Sequence, residues 1–368
     1  MPVSSCLFLT IASPFWPVNE ASKFPGCAGR FLSMRILVIL KYAYIGDAIV
    51  SLPLLKGICR QWPDARVTVM TSYGACKLLP LDLDLAPQCT FVPYGPRGIQ
   101  RSAMDSVRLT FEMLRLVRGW RREGGFDIAF TVHRSGRGNL TAWRSGARVR
   151  AGFAGGTFSF LLNRRASADS SRPESQTTLE LLKLFAPGDL GQPWSARPSL
   201  RVAAPAPAVP FPPPGSGPLI GIQPGASSVT KRWPVERMAA LADRLVAQFG
   251  ARLVLIGGPN EREPADTMRR AMQQPIACES TGEKLPETAG IMSRLDLFVG
   301  NDTGLNHMAA AAGCPTVCLF GRTSPAKWGR HYAPHRIVVS PDGTMEGITL
   351  EAAFDATAAA LRAAGFPG

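Results

Sequence analysis

The chain has 368 residues, 46% hydrophobic and 18% charged, a composition that excludes a disordered polymer and leaves room for two domains, each with its own core. No run approaches the roughly 20 continuous apolar residues that a membrane-spanning helix requires. The net charge of +14 is uneven: residues 1–210 hold 26 Lys and Arg against 13 Asp and Glu, while the remainder is almost balanced, so one half is suited to an anionic partner.

Residues 1–33 lack a basic stretch before their short apolar run, which argues against a signal peptide. They read as a structureless extension, or as the product of a start codon assigned upstream of Met34. From Met34 the pattern alternates strand and helix. Arg35–Leu40 is predicted as a strand, Asp47 to about Gln61 as a helix, and Arg66–Thr71 as a strand. A long helix over about Ser102–Arg122 and a strand at Asp127–Val132 follow. Residues 202–218 contain seven prolines and mark a semi-rigid linker. Beyond it, Leu219–Gln223 is a strand. Pro234 then starts a helix that carries Met238, Leu241, Leu245 and Phe249 at helical spacing and stops at Gly250. Arg252–Ile256 is the next strand. Leu297–Val299, a helix from about Leu305, and Thr316–Phe320 complete the pattern. The expected architecture is α/β: two doubly wound domains, 34–201 and 219–368, facing a cleft, with ligands at the carboxyl ends of the strands. The C-terminal helix could return to the first domain.

Eight scattered cysteines with no C-x-x-C pair read as small apolar fillers in a reducing compartment, Cys314 and Cys318 among them on a buried strand. Asp82-Leu83-Asp84 superficially matches a D-x-D metal motif but lies in a proline-bounded loop, so no metal is expected there. Neither G-x-G-x-x-G nor G-x-x-x-x-G-K-[ST] occurs.

Three turns of the second half follow strands and carry chemistry. In IQPGASSVTKRWP, the hydroxyls of Ser227, Ser228 and Thr230 and the ammonium of Lys231 precede a helix, which suits a phosphate; a capped surface turn with a solvated lysine is the plain alternative. In LVLIGGPNERE, Glu261 follows a strand-terminal glycine pair, where a carboxylate can take ribose hydroxyls or simply favour a helix start. In GNDTGLNHMAAAAG, Asp302 or Thr303 caps a helix, Gly304 opens it, and His307 is either a core histidine or part of the site. In the first half, Gly46-Asp47 follows the first strand. Asp47 is a helix cap or a general base facing the interdomain cleft. Arg134 and Arg137, after the strand Asp127–Val132, either meet an anionic acceptor or sit in a solvated loop. On the long helix, Arg101, Arg108, Arg115 and Arg122 recur every seven residues with Arg118 beside them, opposite Leu109, Met113, Leu116, Val117 and Trp120. That basic face is solvated, or meets phosphates of a lipid-anchored acceptor or its anionic leaflet.

MRILVILKYAYIGDAIVSLPLLKGI, PGASSVTKRWP, LIGGPNE and GNDTGLNHMAAAAGCPTVCLFGRTSP together resemble the heptosyltransferases of glycosyltransferase family 9, in order from Met34 to about Pro325. The resemblance implies a GT-B fold and inverting, metal-independent transfer from ADP-heptose to a lipid-linked glycan at the cytoplasmic membrane face. Asp47 matches the proposed base, and Lys231 with its neighbouring hydroxyls the donor-phosphate contacts. Glu261 matches the ribose acid, while Asp302, Thr303 and Gly304 match the turn holding the sugar and diphosphate. His307 fits the motif without an assigned step. The nucleotide sugar would be a substrate, and no cofactor or metal is implied. Tyr42-Ala43-Tyr44 departs from the small residues usual before the G-D pair and alters the acceptor wall. A sugar-nucleotide epimerase of the same fold would need further acids in the cleft, and no obvious pair accompanies Asp47. Nucleic-acid binding lacks interleaved aromatics and any reading motif.

Overall fold

Runs such as RILVI and LIGIQ are apolar on both faces, which suits strands covered on both sides in a parallel sheet. A computed structural model of the chain has that arrangement. It describes residues 34–40, 44–85, 87–95, 103–185, 196–202, 215, 217–282 and 284–367, with 103–108 and 110 described by backbone alone. The extension 1–33, most of the proline-rich stretch, Tyr42, Ala43, Arg101 and the side chain of Arg108 lie outside the described residues.

The first half runs β1 (Arg35–Ile39), α1 (Ile45–Val50), α2 (Leu52–Gln61), β2 (Arg66–Thr71), α3 (Ala75–Leu78), β3 (Cys89–Pro93), α4 (Ala103–Arg122), β4 (Ile128–Thr131), α5 (Gly136–Arg144), β5 (Val149–Phe153), β6 (Arg164–Ala166) and α6 (Glu174–Lys183). The second runs β7 (Leu219–Gln223), α7 (Val235–Phe249), β8 (Arg252–Gly257), α8 (Arg262–Ala271), β9 (Cys278–Thr281), α9 (Leu285–Met292), β10 (Leu297–Asn301), α10 (Gly304–Ala311), β11 (Thr316–Phe320), α11 (Pro325–Trp328), β12 (Arg336–Val339) and α12 (Leu350–Ala363).

Each half folds into one six-stranded sheet, in the orders β3-β2-β1-β4-β5-β6 and β12-β11-β10-β7-β8-β9. Every pairing between these strands is parallel. The two orders are the same winding counted from each half's first strand. The strand order therefore reverses between β1 and β4 in one sheet and between β7 and β10 in the other. Crevices at such reversals are where doubly wound sheets bind ligands.

Three expectations are corrected. The helix predicted from Asp47 to Gln61 is two helices, because Pro53 lacks the N–H that would continue the ladder and Ser51 instead bonds back to the Asp47 carbonyl at 2.8 Å. Each half has a buried cluster of its own, and a further cluster joins the halves, linking Ile36 and Phe130 to Phe298, Leu305 and Met308. The C-terminal helix stays with the second half, packing on α7, β11 and β12, because Phe354 and Leu361 complete a cluster shared with Leu245 and Phe249. Cys314 is buried in the turn before β11, and only Cys318 is on the strand. Burial pushes both thiols well above the usual range, so they remain protonated fillers.

The amphipathic reading of α4 is borne out for its described side chains. Leu109, Met113, Val117 and Trp120 are buried and Leu116 is half-buried, while Arg115, Arg118 and Arg122 are exposed. Phe111, 68% exposed, lies on the same outward face as Arg115 and Arg118. Asp82 and Asp84 both grip Lys56, at 3.1 and 2.8 Å, and Arg201 reaches Asp84 at 3.0 Å. The acid pair thus serves an internal ion-pair network that pins the chain after residue 198 to the first sheet.

Candidate functional site

Each candidate turn leaves the carboxyl end of a strand beside a reversal point. β7 ends in Gln223, which is fully buried and therefore must find partners for its amide. Its nitrogen donates to both carboxylate oxygens of Glu261, at 3.3 and 3.1 Å, and its oxygen accepts from the Thr303 hydroxyl at 2.7 Å. One amide thereby links the turns after β7, β8 and β10. Glu261 also accepts from the Gly258 N–H at 2.9 Å, so its carboxylate folds back over the strand-terminal glycines. Gly225 is required beneath it, since a Cβ there would lie 2.5 Å from the Glu261 carboxyl carbon.

Asn301, also fully buried, ends β10 in the same way. It accepts from the Trp233 N–H at 3.0 Å and donates to the carbonyls of Pro224 and Gly225, at 3.2 and 3.0 Å. These bonds set the loop that bears Ser227, Ser228, Thr230 and Lys231. The three hydroxyl residues are exposed, with Ser228 and Thr230 bonded to each other at 2.9 Å. Lys231 sits in a single 3-10 turn, its ammonium 3.6 Å from Asp302.

Asp302 is nearly buried between Lys231 and His307, whose Nε2 lies 3.8 Å from its other oxygen. Of the two candidate caps, Thr303 is the one used, accepting from the Asn306 N–H at the start of α10. His307 is buried; Arg330 donates to its Nδ1 at 2.8 Å and to the side-chain amide oxygen of Asn306 as well. Burial, then Arg330 and Lys231, hold the His307 pKa well below the ordinary histidine value, so the ring is neutral.

The first half meets this turn directly. Gly46 and Gly304 face each other at the starts of α1 and α10: a Cβ on Gly46 would lie 3.1 Å from the His307 ring and 3.4 Å from the Gly304 Cα. A Cβ on Gly304 would overlap Ile45. Asp47, half-buried in the first turn of α1, is therefore one residue from that contact. The acid of the first half and the Asp302–Thr303–Gly304 turn of the second stand together at the two reversal points.

The β4–α5 connection lies on the same edge as Asp47, because β4 pairs with β1. Arg134 is exposed there; Arg137 belongs not to a loop but to the first turn of α5, which Ser135 caps. Arg115 and Arg118 lie on α4 and are not part of this cluster. A cavity of about 640 Å³ adjoins the site, lined from both halves by residues including Glu174, Arg197, Lys327, Trp328 and Tyr332. Among the candidate residues with described side chains, only His307 reaches it. Among the described residues no group of three or more His, Cys, Asp or Glu side chains is arranged to hold a metal ion.

Sequence reasoning missed Gln223, Asn301, Asn306 and Arg330. For the first two a signal existed, a lone amide ending an apolar strand. Arg330 carried none, since its partner is 23 residues away.

The model of glycosyltransferase family 9 (heptosyltransferase) matches residues 113–351. Lipopolysaccharide heptosyltransferase 2 of Salmonella typhimurium is 28% identical over 79% of this chain and 84% of its own length. Lipooligosaccharide heptosyltransferase 2 of Haemophilus influenzae is 34% identical over a shorter stretch, 30% of this chain and 33% of that protein. The fold matches that of the E. coli ADP-heptose lps heptosyltransferase II with a TM-score of 0.70, at 23% identity, over 90% of this chain and 99% of that one. The two facing doubly wound sheets are thus a GT-B fold, and with a family model that matches well over half of its length the chain belongs to glycosyltransferase family 9, the heptosyltransferase family.

Proposed function

We propose that the protein transfers a heptosyl residue from ADP-heptose to the inner core of lipopolysaccharide or a related lipid-linked glycan, with inversion at the anomeric carbon and without a metal ion. The observation that carries this reading is the meeting of the Gly46–Asp47 turn with the Asp302–Thr303–Gly304 turn, one from each half. It brings an acid of one sheet to the candidate donor turn of the other.

In this mechanism Asp47 takes the proton of an acceptor hydroxyl as its oxygen attacks the anomeric carbon. The bond from that carbon to the diphosphate breaks, and ADP leaves as an anion. Attack from the face opposite the leaving group inverts the centre. Lys231 and the N–H groups at the start of α10 answer the charge that develops on the diphosphate, the role a metal ion would otherwise fill. Glu261 takes the ribose hydroxyls. The neutral His307 adds no cation beside Asp302, which remains available to the sugar. Arg134 and Arg137 meet acidic groups of the acceptor. The enzyme works peripherally at the cytoplasmic face of the inner membrane; among the described residues no helix is long and apolar enough to cross a membrane.

Thermal stabilisation by ADP, UDP, GDP and CDP tests the donor: ADP should raise the melting temperature most, and a preference for UDP would overturn the assignment. A product linkage with the same anomeric configuration as the donor would overturn the inverting step. Loss of transfer on chelation, restored by a divalent cation, would overturn metal independence.

A further inference from the structure

Between Asp127 and Asp169 the chain carries seven arginines and not one carboxylate. The stretch forms β4, α5, β5 and β6, the edge of the first sheet. Two of the arginines serve the fold: Arg150 donates to the carbonyls of Leu161 and Ala147, at 2.7 and 2.8 Å, and Arg164 stands over the Phe185 ring. Arg134, Arg148 and Arg165 are exposed, and Arg137 and Arg144 half-exposed, in a segment whose own sequence contains no carboxylate.

The turn from Ala154 to Leu162, between β5 and β6, is held against the start of α5. Asn139 donates to the Thr157 carbonyl at 2.9 Å. A Cβ on Gly156 would lie 2.7 Å from the Arg134 carbonyl oxygen, and one on Gly136 would lie 2.8 Å from Thr157 and 3.0 Å from Phe158. Held in this way, the turn directs its aromatic rings outward. Phe158 is 45% and Phe160 74% exposed, packed edge to face at 6.1 Å. Phe158 has φ 57°, a left-handed conformation that a bulky residue adopts only where its surroundings impose it. Trp143, 49% exposed, is seven residues from Gly136 and so lies two turns along the same face of α5.

Adjacent exposed aromatic rings within a basic surround are costly in water and mark a contact surface. We infer that this corner, with Phe158 and Phe160 at its tip, Arg134 and Arg137 at the adjoining start of α5 and Trp143 further along that helix, docks on an anionic lipid leaflet. Charge complementarity selects that partner. Aromatic rings settle at the headgroup level of a bilayer, and arginines beside them pair with anionic headgroups. The rings of the corner belong to the β5–β6 turn and not to α4, whose outward face carries Phe111, Arg115 and Arg118. The start of α5, with Arg134 and Arg137, and the turn that leaves β5 after Phe153 lie on the carboxyl edge of β4 and β5, the edge that also bears Asp47, so docking brings the bilayer to the acceptor side of the site. That last consequence rests on the transferase reading; lipid binding itself does not.

The test is co-sedimentation of the full chain, without substrate, with vesicles of phosphatidylcholine alone or mixed with phosphatidylglycerol. Binding should require phosphatidylglycerol, weaken as salt rises, and fall about tenfold or more in a Phe158→Asn/Phe160→Ser variant, asparagine being chosen because it tolerates the left-handed conformation. The variant should keep the wild-type melting temperature and its shift with ADP. In a Phe160→Trp variant, brominated phosphatidylglycerol should quench the added fluorescence. Equal binding to neutral vesicles, no loss in the double variant, or loss in Arg115→Ser/Arg118→Ser alone would overturn the inference, the last in favour of α4. Failure to transfer sugar to a soluble acceptor fragment would count against the transferase reading and not against this one.

Discussion

The Nδ1 of His307 accepts a hydrogen bond from the Arg330 guanidinium across 2.8 Å, and that contact determines which ring nitrogen carries the proton. Arginine only donates, so the hydrogen of the neutral ring is on Nε2, the nitrogen 3.8 Å from Asp302. Arg330→Met removes the donor and its repulsion but leaves the burial. In nitrogen-15 histidine spectra, wild-type His307 should hold one tautomer through the neutral range, and in the variant its titration should move up toward the usual value near 6.5. A wild-type His307 titrating near that value would contradict the arrangement.

Asp47→Asn keeps the shape of the side chain and removes its basicity. Transfer should fall by about 10²-fold or more, while stabilisation by ADP stays close to wild type. Retention of more than about a tenth of the turnover would remove Asp47 from the role of base.

Lys231 and Glu261 should separate by ligand. Lys231→Ala should weaken ADP far more than adenosine, because its proposed partner is phosphate. Glu261→Ala should weaken adenosine too, and it also strips Gln223 of the acceptor for its amide. Calorimetric titration of both ligands into both variants checks this; equal losses throughout would show the turns to be misassigned.

The contact between the two halves leaves no room for a methyl group at Gly304, whose Cβ would meet Ile45. Gly304→Ala should destabilise by about 1–3 kcal/mol and reduce transfer, with Ile45→Ala restoring much of both. Urea unfolding and turnover of the single and double variants measure it, and failure of the second change to rescue would mean that the glycine serves something other than this approach.

Two histidines make the protein acid-sensitive. Burial, then Arg330 and Arg197, lower His335 to about 4, and His307 is held well below its ordinary value. Unfolded histidine titrates near 6.5, so below that pH the unfolded chain takes up protons that the folded one refuses. Stability is complete above about pH 6.5 and should decline toward pH 4. His335→Gln should flatten the decline seen in melting temperature; an unchanged slope would assign it to other groups.

How much of this was legible follows from the range of the interactions concerned. Strand ends at Arg66–Thr71, Leu219–Gln223 and Thr316–Phe320 were readable to the residue, because each is a short, largely apolar run between polar or turn-forming residues, as a strand covered by helices requires. The inward face of α4 was equally plain from its period. β3, β5, β6, β9 and β12 were not anticipated: such segments as CTFVP, RRA and CEST are strands by virtue of the neighbours that pair with them. Candidate residues of the site could be named in advance, since phosphate, ribose and proton transfer call for particular side chains after strand ends. Their assembly could not. Gln223 joining Glu261 to Thr303, Arg330 orienting His307, and Gly46 lying against Gly304 all link positions far apart in the chain. The sequence by itself determined which chemistry each turn can offer; only the tertiary structure decided which turns meet, because the way the two sheets pack sets those distances.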